Sequence, residues 1–170
     1  MQYRQTRLLT PLGGMLALWG ERGLLALTWT DRQPDADRHL LRHGPTVDAS
    51  EVECIPELSA AVAAYLDGDI AALVALPVNP PGTGFQRTVW AALREIPAGQ
   101  TWSYGDLARH IGRPTAFRAV AQANGANPVP LVIPCHRVIA GDGSLGGFSA
   151  GLDRKRWLLN HEKAWSAPGD

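Results

Sequence analysis

The chain has 170 residues, 45% of them hydrophobic, and a formal net charge of zero at pH 7. This length is enough for one or two small domains with a real core, and no apolar run approaches the ~20 residues that span a bilayer. The two cysteines, Cys54 and Cys135, cannot form a disulfide framework, so we expect a protein of the reducing cytoplasm with no membrane partner.

The zero net charge conceals an asymmetry between the two halves of the chain. Residues 1–80 contain six Lys/Arg and ten Asp/Glu, a net charge of −4, whereas residues 81–163 contain ten and five, a net charge of +5. A basic C-terminal half suits a polyanionic partner, although ordinary scatter of surface charge would give the same count. Because the excess is small, we expect weak binding with a modest salt dependence.

The first half of the chain predicts a small α/β domain over residues 1–80. A helix is predicted from about Pro56 to Asp67, because Leu58, Val62 and Leu66 recur at helical spacing. Residues 31–50 are polar and predict a loop with at most one short helix, and the Pro/Gly-rich residues 78–84 predict a linker. Strands are predicted on three short apolar or alternating runs, with a hairpin turn over residues 20–23: Tyr3–Thr10, Met15–Trp19 and Leu24–Thr30.

The second half, residues 81–170, predicts a helical domain. One helix begins near Thr83 and ends at Ile96-Pro97, with a further helix over about residues 152–163 that buries Leu152 and Leu159. Between them, Ser103 caps a helix that Gly112 closes, and another helix follows over about residues 114–124. Two short helices joined by a tight turn are typical of a helix-turn-helix, or of an αα-hairpin that only packs. The second helix of this pair is rich in alanine and projects Arg118, which suits close approach in the minor groove.

The segment Pro134-Cys135-His136-Arg137-Val138-Ile139 follows the apolar run Leu131-Val132-Ile133. The pattern predicts a strand that stops at a proline and presents Cys-His at its end, as expected for a nucleophile. A free thiol with a pKa near ~8.5 is mostly protonated at neutral pH, so a base is needed to form the reactive thiolate. The alternative is a buried cysteine that acts as a small hydrophobic residue.

This segment and its flanks resemble the O6-alkylguanine-DNA alkyltransferases, also called methylated-DNA–protein-cysteine methyltransferases. The resemblance extends from about Gly84 to Glu162, and the first half of the chain is similar only in layout. It rests on separated blocks in the order of the family, which are Phe85–Trp90, Ile96–Gln100, Ser103–Gly105, Arg118–Val120, Asn127-Pro128, Pro134–Ile139 and Arg156–Leu159.

The resemblance implies a ribonuclease H-like N-terminal layout and irreversible transfer of an alkyl group from O6 of guanine, and from O4 of thymine, to Cys135. It implies a water between Cys135 and His136, with Glu162 holding the far side of the imidazole. Asn127 would hold the turn beside Cys135 and position a carbonyl against the flipped base. Alternatively, it would act only as a turn residue before proline. Because no residue could break the thioether, each molecule would react once. The resemblance also implies a monomer that needs no cofactor and no metal.

The implied partner is double-stranded DNA, bound in the minor groove with the alkylated base flipped. Tyr104 would give the leaving guanine a proton or a hydrogen bond and would contact the 3′ phosphate. Arg113 would contact DNA, and Arg118 would fill the space that the flipped nucleotide leaves. A pocket for the base is expected with walls from Pro130, Val138, Phe148 and Ser149, the last two in a glycine-rich loop over residues 146–151.

Three other functions fit parts of the pattern. A cysteine hydrolase would also use Cys and His, but that pair is normally remote in sequence and the enzyme would turn over many times. A non-catalytic protein that senses alkyl lesions in DNA would share the layout, provided that Cys135 is inert. A helix-turn-helix regulator would prefer one operator sequence.

Overall fold

The computed structural model describes residues 2–166, and it has the mixed α/β fold that the sequence predicts. The chain divides into two compact units. Within the described residues, the first contains residues 2–83 together with Pro128–Pro130, and the second contains Gly84–Asn127 and residues 131–166. The return of residues 128–130 to the first unit is a long-range feature that no local pattern indicates. The ribonuclease H-like layout stays a prediction.

The first unit is built on a four-stranded sheet in the order β3-β2-β1-β4. The first three strands are antiparallel neighbours and β4 lies parallel to β1. The three predicted strands and the hairpin are confirmed, whereas β4 was not predicted because its three residues, Ala-Ser-Glu, carry no apolar pattern. The elements are β1 Tyr3–Thr10, β2 Gly13–Gly20, β3 Gly23–Trp29, α1 Gln33–His43, β4 Ala49–Glu51 and α2 Pro56–Leu66.

Gly23, at the start of β3, is required by its backbone and its surroundings. Its φ is +108°, and a Cβ there would lie 2.2 Å from the carbonyl oxygen of Pro77. The amide of the next residue, Leu24, donates to that same carbonyl at 3.0 Å. All residues of β3 are buried, which explains why the strand is a continuous apolar run rather than an alternating one.

The second unit is mainly helical, with a short parallel pairing of β5 and β6. Its elements are α3 Gly84–Leu93, β5 Trp102–Ser103, α4 Tyr104–His110, α5 Phe117–Gly125, β6 Val138–Ile139 and α6 Leu152–His161. The indole Nε1 of Trp90 in α3 donates to the carbonyl of Ala123 in α5 at 2.8 Å. Ser103 caps α4 as predicted, because its Oγ accepts from the Asp106 amide while the Asp106 carboxylate accepts from the Ser103 amide.

Two predictions about the second unit are wrong. The run Leu131–Ile133 is not a strand: Leu131 has a φ of +75°, and a short 3₁₀ helix over Cys135–Arg137 follows Pro134. Prolines at positions 130 and 134 have no amide hydrogen for a strand ladder, so they disfavour a strand between them. Leu152, predicted to be buried, is 45% exposed, because the inward face of α6 begins one turn later.

None of the helices within residues 2–166 is long and apolar enough to cross a membrane.

Candidate active site

Cys135 lies at the start of the 3₁₀ helix and is 2% exposed. The preceding turn is held by Asn127, whose side-chain amide donates to the Ile133 carbonyl at 2.8 Å. The Asn127 side chain also hydrogen-bonds the thiol, which favours its ionised form. The left-handed backbone of Leu131 is unusual for a non-glycine residue, and such conformations persist where the surrounding structure enforces them. The nucleophile candidate is thus fixed by a constrained turn rather than by a strand end.

His136, Arg137 and Glu162 form a buried network directly beside Cys135. The imidazole Nε2 lies 2.8 Å from Oε2 of Glu162, and both side chains are fully buried. Arg137 donates from Nε to Oε1 of Glu162 at 2.8 Å and from Nη2 to Oε2 at 3.2 Å. Its remaining Nη1 donates to the carbonyl of Ile96 at 2.8 Å. The Glu162 carboxylate at the end of α6 therefore binds both His136 and Arg137.

This network determines which nitrogen of His136 can act as a base. A carboxylate accepts only, so Nε2 carries the proton that is donated to Glu162. Nδ1 is then left with its lone pair, and it has no hydrogen-bond partner within the described part of the chain. The imidazole is held in the tautomer that a general base needs.

Burial dominates the ionisation of the site. It raises the pKa of the Cys135 thiol to about 11, against smaller opposing effects of the Asn127 hydrogen bond and the Lys155 charge. Burial also lowers the pKa of His136, despite the hydrogen bond and charge of Glu162. Burial of Glu162 would raise its pKa, but His136 and Arg137 outweigh this and hold it well below the usual range. The resting site therefore contains a thiol, a neutral imidazole and a carboxylate.

Lys155 is a site residue that the motifs did not indicate. It is fully buried, and its ammonium donates to the carbonyl of Val138 at 2.7 Å and to that of Gly147 at 2.9 Å. Burial lowers its pKa to about 8, and the charge of an ionised Cys135 opposes that effect. Lys155 ties the glycine-rich loop to β6 and supplies positive charge near the thiol. Its position was detectable, since residues 155, 158, 159 and 162 share one helical face.

A cavity of about 390 Å³ is lined in part by Gly147, whose carbonyl accepts from Lys155, and its volume is within the usual range of small-molecule pockets. Tyr104, whose pKa is raised by burial, lies on its wall with its hydroxyl 3.5 Å from the carbonyl of Gly147. Tyr104 is therefore a protonated donor at neutral pH. The lining residues are Tyr104, Ala121, Asn124, Gly125, Gly147, Phe148 and Ser149.

Two of the four predicted pocket residues line the cavity and two do not. Phe148 and Ser149 line the cavity. Val138 is fully buried in β6, where its carbonyl binds Lys155, and Pro130 belongs to the first unit. Sequence reasoning also missed Asn124 and Arg137, although Arg137 stands inside the motif that drew attention to its neighbours.

The two predicted DNA-contacting arginines lie on the surface of the second unit. Arg118 is exposed in the first turn of α5, next to Phe117, which is 50% exposed. Arg113 is exposed in the segment that joins α4 to α5, and its guanidinium carbon lies 5.5 Å from the centre of the Phe85 ring. The exposed positions of Arg118 at the start of α5 and of Arg113 in the joining segment leave both charges available to a polyanion.

Within residues 2–166, no group of three or more His, Cys, Asp or Glu side chains is arranged to hold a metal ion. Both cysteines are free, with Cys54 exposed and Cys135 buried.

Comparison with known proteins places this geometry in context. Residues 84–164 match the family described as the 6-O-methylguanine DNA methyltransferase, DNA binding domain. A methylated-DNA–protein-cysteine methyltransferase of Salmonella typhimurium is 42% identical over 93% of this chain and 94% of the relative. One of Methanosarcina acetivorans is 37% identical over 90% and 94%.

Solved structures agree with the sequence relatives. The fold is similar to that of Mycobacterium tuberculosis O6-methylguanine methyltransferase, with a TM-score of 0.78 and 32% identity over 99% of this chain and 97% of that protein. A structure of the Mycobacterium tuberculosis OGT in complex with DNA gives a TM-score of 0.76 at 32% identity, over 98% of this chain and 96% of that one.

Proposed function

The chain belongs to the family of methylated-DNA–protein-cysteine methyltransferases, and we propose that it repairs DNA by transferring alkyl groups from O6 of guanine to Cys135. We extend the proposal to O4 of thymine as a second substrate. The observation that carries it is the buried Cys135–His136–Glu162 arrangement, in which the imidazole of the residue after Cys135 has an acceptor nitrogen without a partner within residues 2–166. The cavity supports the proposal, since its volume suits a small molecule and its wall includes Tyr104 and the predicted pocket residues Phe148 and Ser149.

The raised pKa of Cys135 makes general-base help necessary. A thiol with a pKa of about 11 is almost entirely protonated at neutral pH. In our proposal a water bridges the thiol and Nδ1 of His136, and the proton passes to the imidazole as Sγ attacks the alkyl carbon. Glu162 stabilises the imidazolium that forms, and the positive charge of Lys155 favours the thiolate.

Displacement forms the bond from sulfur to carbon and breaks the bond from carbon to O6. The electron pair of the broken bond goes to the departing guanine, which then needs a proton or a hydrogen bond. Tyr104 is the proposed donor, because its hydroxyl is protonated and it lines the cavity. The thioether is stable to every group in this site, so each molecule reacts once.

We propose that the partner is double-stranded DNA, bound by a monomer in the cytoplasm through the minor groove. The thin face of α5 would approach the groove, while Arg118 takes the place of the flipped nucleotide and Tyr104 and Arg113 contact the backbone. Flipping costs a few kcal/mol and least for a poorly paired lesion, which favours alkylated over normal guanine. The exposure of both arginines supports this assignment.

Intact-mass analysis tests the proposal. We expect the protein to gain one methyl group on mixing with a duplex that carries a single O6-methylguanine, with the methyl mapped to Cys135. Cys135→Ser should gain none, and Cys54→Ser is the matched control that should react like the wild type because Cys54 is exposed and outside the site. Lesion binding without any mass change in the wild type would instead support the non-catalytic lesion sensor.

A further inference from the structure

The residue that follows Glu162 has an unusual backbone conformation. Within residues 2–166, two non-glycine residues have a positive φ, Leu131 at +75° and Lys163 at +54°. Leu131 lies in the turn that leads to Cys135, and Lys163 comes directly after Glu162. The left-handed region is unfavourable for a residue with a Cβ, so this conformation persists where the surrounding structure enforces it. The chain is therefore constrained on both sides of the candidate site.

Hydrogen bonds at the end of α6 require the left-handed residue. The Lys163 amide donates to the Asn160 carbonyl at 3.0 Å, and the Ala164 amide donates to the Leu159 carbonyl at 2.9 Å. This pair of hydrogen bonds is a Schellman motif, in which the residue after the helix cap is left-handed and is usually glycine. Because a lysine stands at that position here, the motif needs support from elsewhere in the chain.

Trp165 supplies this support from outside the helix. Its indole Nε1 donates to the carbonyl of Gly143 at 2.9 Å. Gly143 lies in the turn that follows β6, and two backbone hydrogen bonds close that turn. The Gly143 amide donates to the Ala140 carbonyl and the Ala140 amide donates to the Ser144 carbonyl, both at 3.0 Å. The acceptor of the Trp165 hydrogen bond is therefore held in a fixed turn.

The Trp165 hydrogen bond joins the two segments that carry the buried network. Arg137 comes directly before β6 and its turn, and Glu162 comes directly after α6. Hydrogen bonds of 2.8 and 3.2 Å join these two side chains, and Trp165 joins the segments of chain that follow them. The helix dipole opposes a carboxylate at a helix C-terminus, so Glu162 needs its place against His136 to be fixed by other contacts.

We propose that Trp165 is a positioning residue for the proposed alkyl transfer. Its hydrogen bond to Gly143 holds Lys163 in the left-handed conformation. The end of α6 is thereby fixed, with the Glu162 carboxylate against the imidazole of His136. This inference rests on the proposed function. Trp165 acts through Glu162, which orients the general base, and takes no part in the displacement itself.

Single-turnover rate constants for methyl transfer from a duplex with one O6-methylguanine test this role. Trp165→Phe keeps an aromatic ring and removes the N–H donor, so we expect its rate constant to fall roughly 2- to 10-fold, the effect of losing one neutral hydrogen bond. Trp157→Phe is the matched control on α6. The Trp157 ring stacks on His161 with ring centres 4.8 Å apart, and a phenylalanine ring preserves that contact. The control should react at the wild-type rate.

Two double variants separate positioning from a general structural role. The readout is the fold loss that Trp165→Phe causes in each background. In Lys163→Gly the left-handed conformation is no longer unfavourable, so the loss should almost disappear. In His136→Ala there is no imidazole for Glu162 to orient, so the loss should almost disappear there too. A loss of stability alone leaves the rate constant of the folded protein unchanged.

An unchanged rate constant in Trp165→Phe would overturn the inference. The same fold loss in the Lys163→Gly or the His136→Ala background as in the wild type would also overturn it, as would an equal loss in Trp157→Phe. Absence of methyl transfer to the wild type would instead overturn the proposed function.

Discussion

Replacing Arg137 by methionine should destabilise the protein more than any exposed ion-pair substitution. The guanidinium makes two hydrogen bonds to Glu162 and one to the carbonyl of Ile96, and both ionic side chains are almost completely buried. Arg137→Met preserves much of the side-chain volume but removes both hydrogen bonds from the guanidinium to the carboxylate. Removing one partner of a buried ion pair typically costs about 3–5 kcal/mol, because the remaining charge is uncompensated.

Calorimetry measures this loss of stability as a lower melting temperature. For a protein of this size, 1 kcal/mol shifts the melting temperature by roughly 2–4 °C, so Arg137→Met should melt about 6–20 °C below the wild type. Arg156→Met is the matched control, because Arg156 pairs with Asp153 on the surface at 3.2 Å, with the Asp153 side chain fully exposed. Exposed pairs contribute about 0–1 kcal/mol, so the control should melt within a few degrees of the wild type.

The pH dependence of the melting temperature tests whether the charge of Glu162 causes the loss of stability. The pKa of Glu162 is held low in the folded protein, so its stabilisation is complete above the unfolded-state pKa near ~4.3 and is lost as the pH falls below it. Without Arg137 the folded-state pKa rises, and the variant loses less stability on acidification than the wild type. The difference between the two melting temperatures should therefore shrink from pH 7 to pH 4.

Adding Glu162→Gln to Arg137→Met removes the unpaired charge and should recover part of the stability. A melting temperature for Arg137→Met no lower than that of Arg156→Met would refute the reasoning, as would a difference from the wild type that does not change with pH.

Three further predictions concern the reaction. His136→Ala should slow methyl transfer by roughly 10²–10⁴-fold. Its residual rate, measured by rapid quench, should rise with pH toward the raised pKa of Cys135, about 11. An unchanged rate would exclude His136 as the general base. Arg118→Ala should lose more rate on duplex DNA than on the free modified base, since only the duplex requires extrusion, whereas equal losses would assign Arg118 to folding or pocket chemistry. Methylation of Cys135 should lower the melting temperature in calorimetry, since overpacking a buried site typically costs ~1–3 kcal/mol; an unchanged midpoint would mean that the site accommodates the methyl without strain.

The sequence alone determined the mixed fold, most helices and strands, and the residues of the Cys135 motif. These features depend on short-range signals: apolar periodicity, caps such as Ser103 and a compact motif. The same local reasoning failed at Leu131–Ile133, because this apolar run has strand-like composition but the prolines on both sides disfavour a ladder.

Only the tertiary structure decided the chemistry of the site. The pairing of Arg137 with Glu162 joins residues 25 positions apart, and its hydrogen bond to Ile96 spans 41. Lys155 and Asn124 contact the backbone near the thiol from two different helices. Protonation states depend on burial and on such distant partners, and burial is a property of the packed chain. The sequence therefore indicated the candidate nucleophile and its neighbours, while packing determined which groups are charged and which nitrogen of His136 has no partner within residues 2–166.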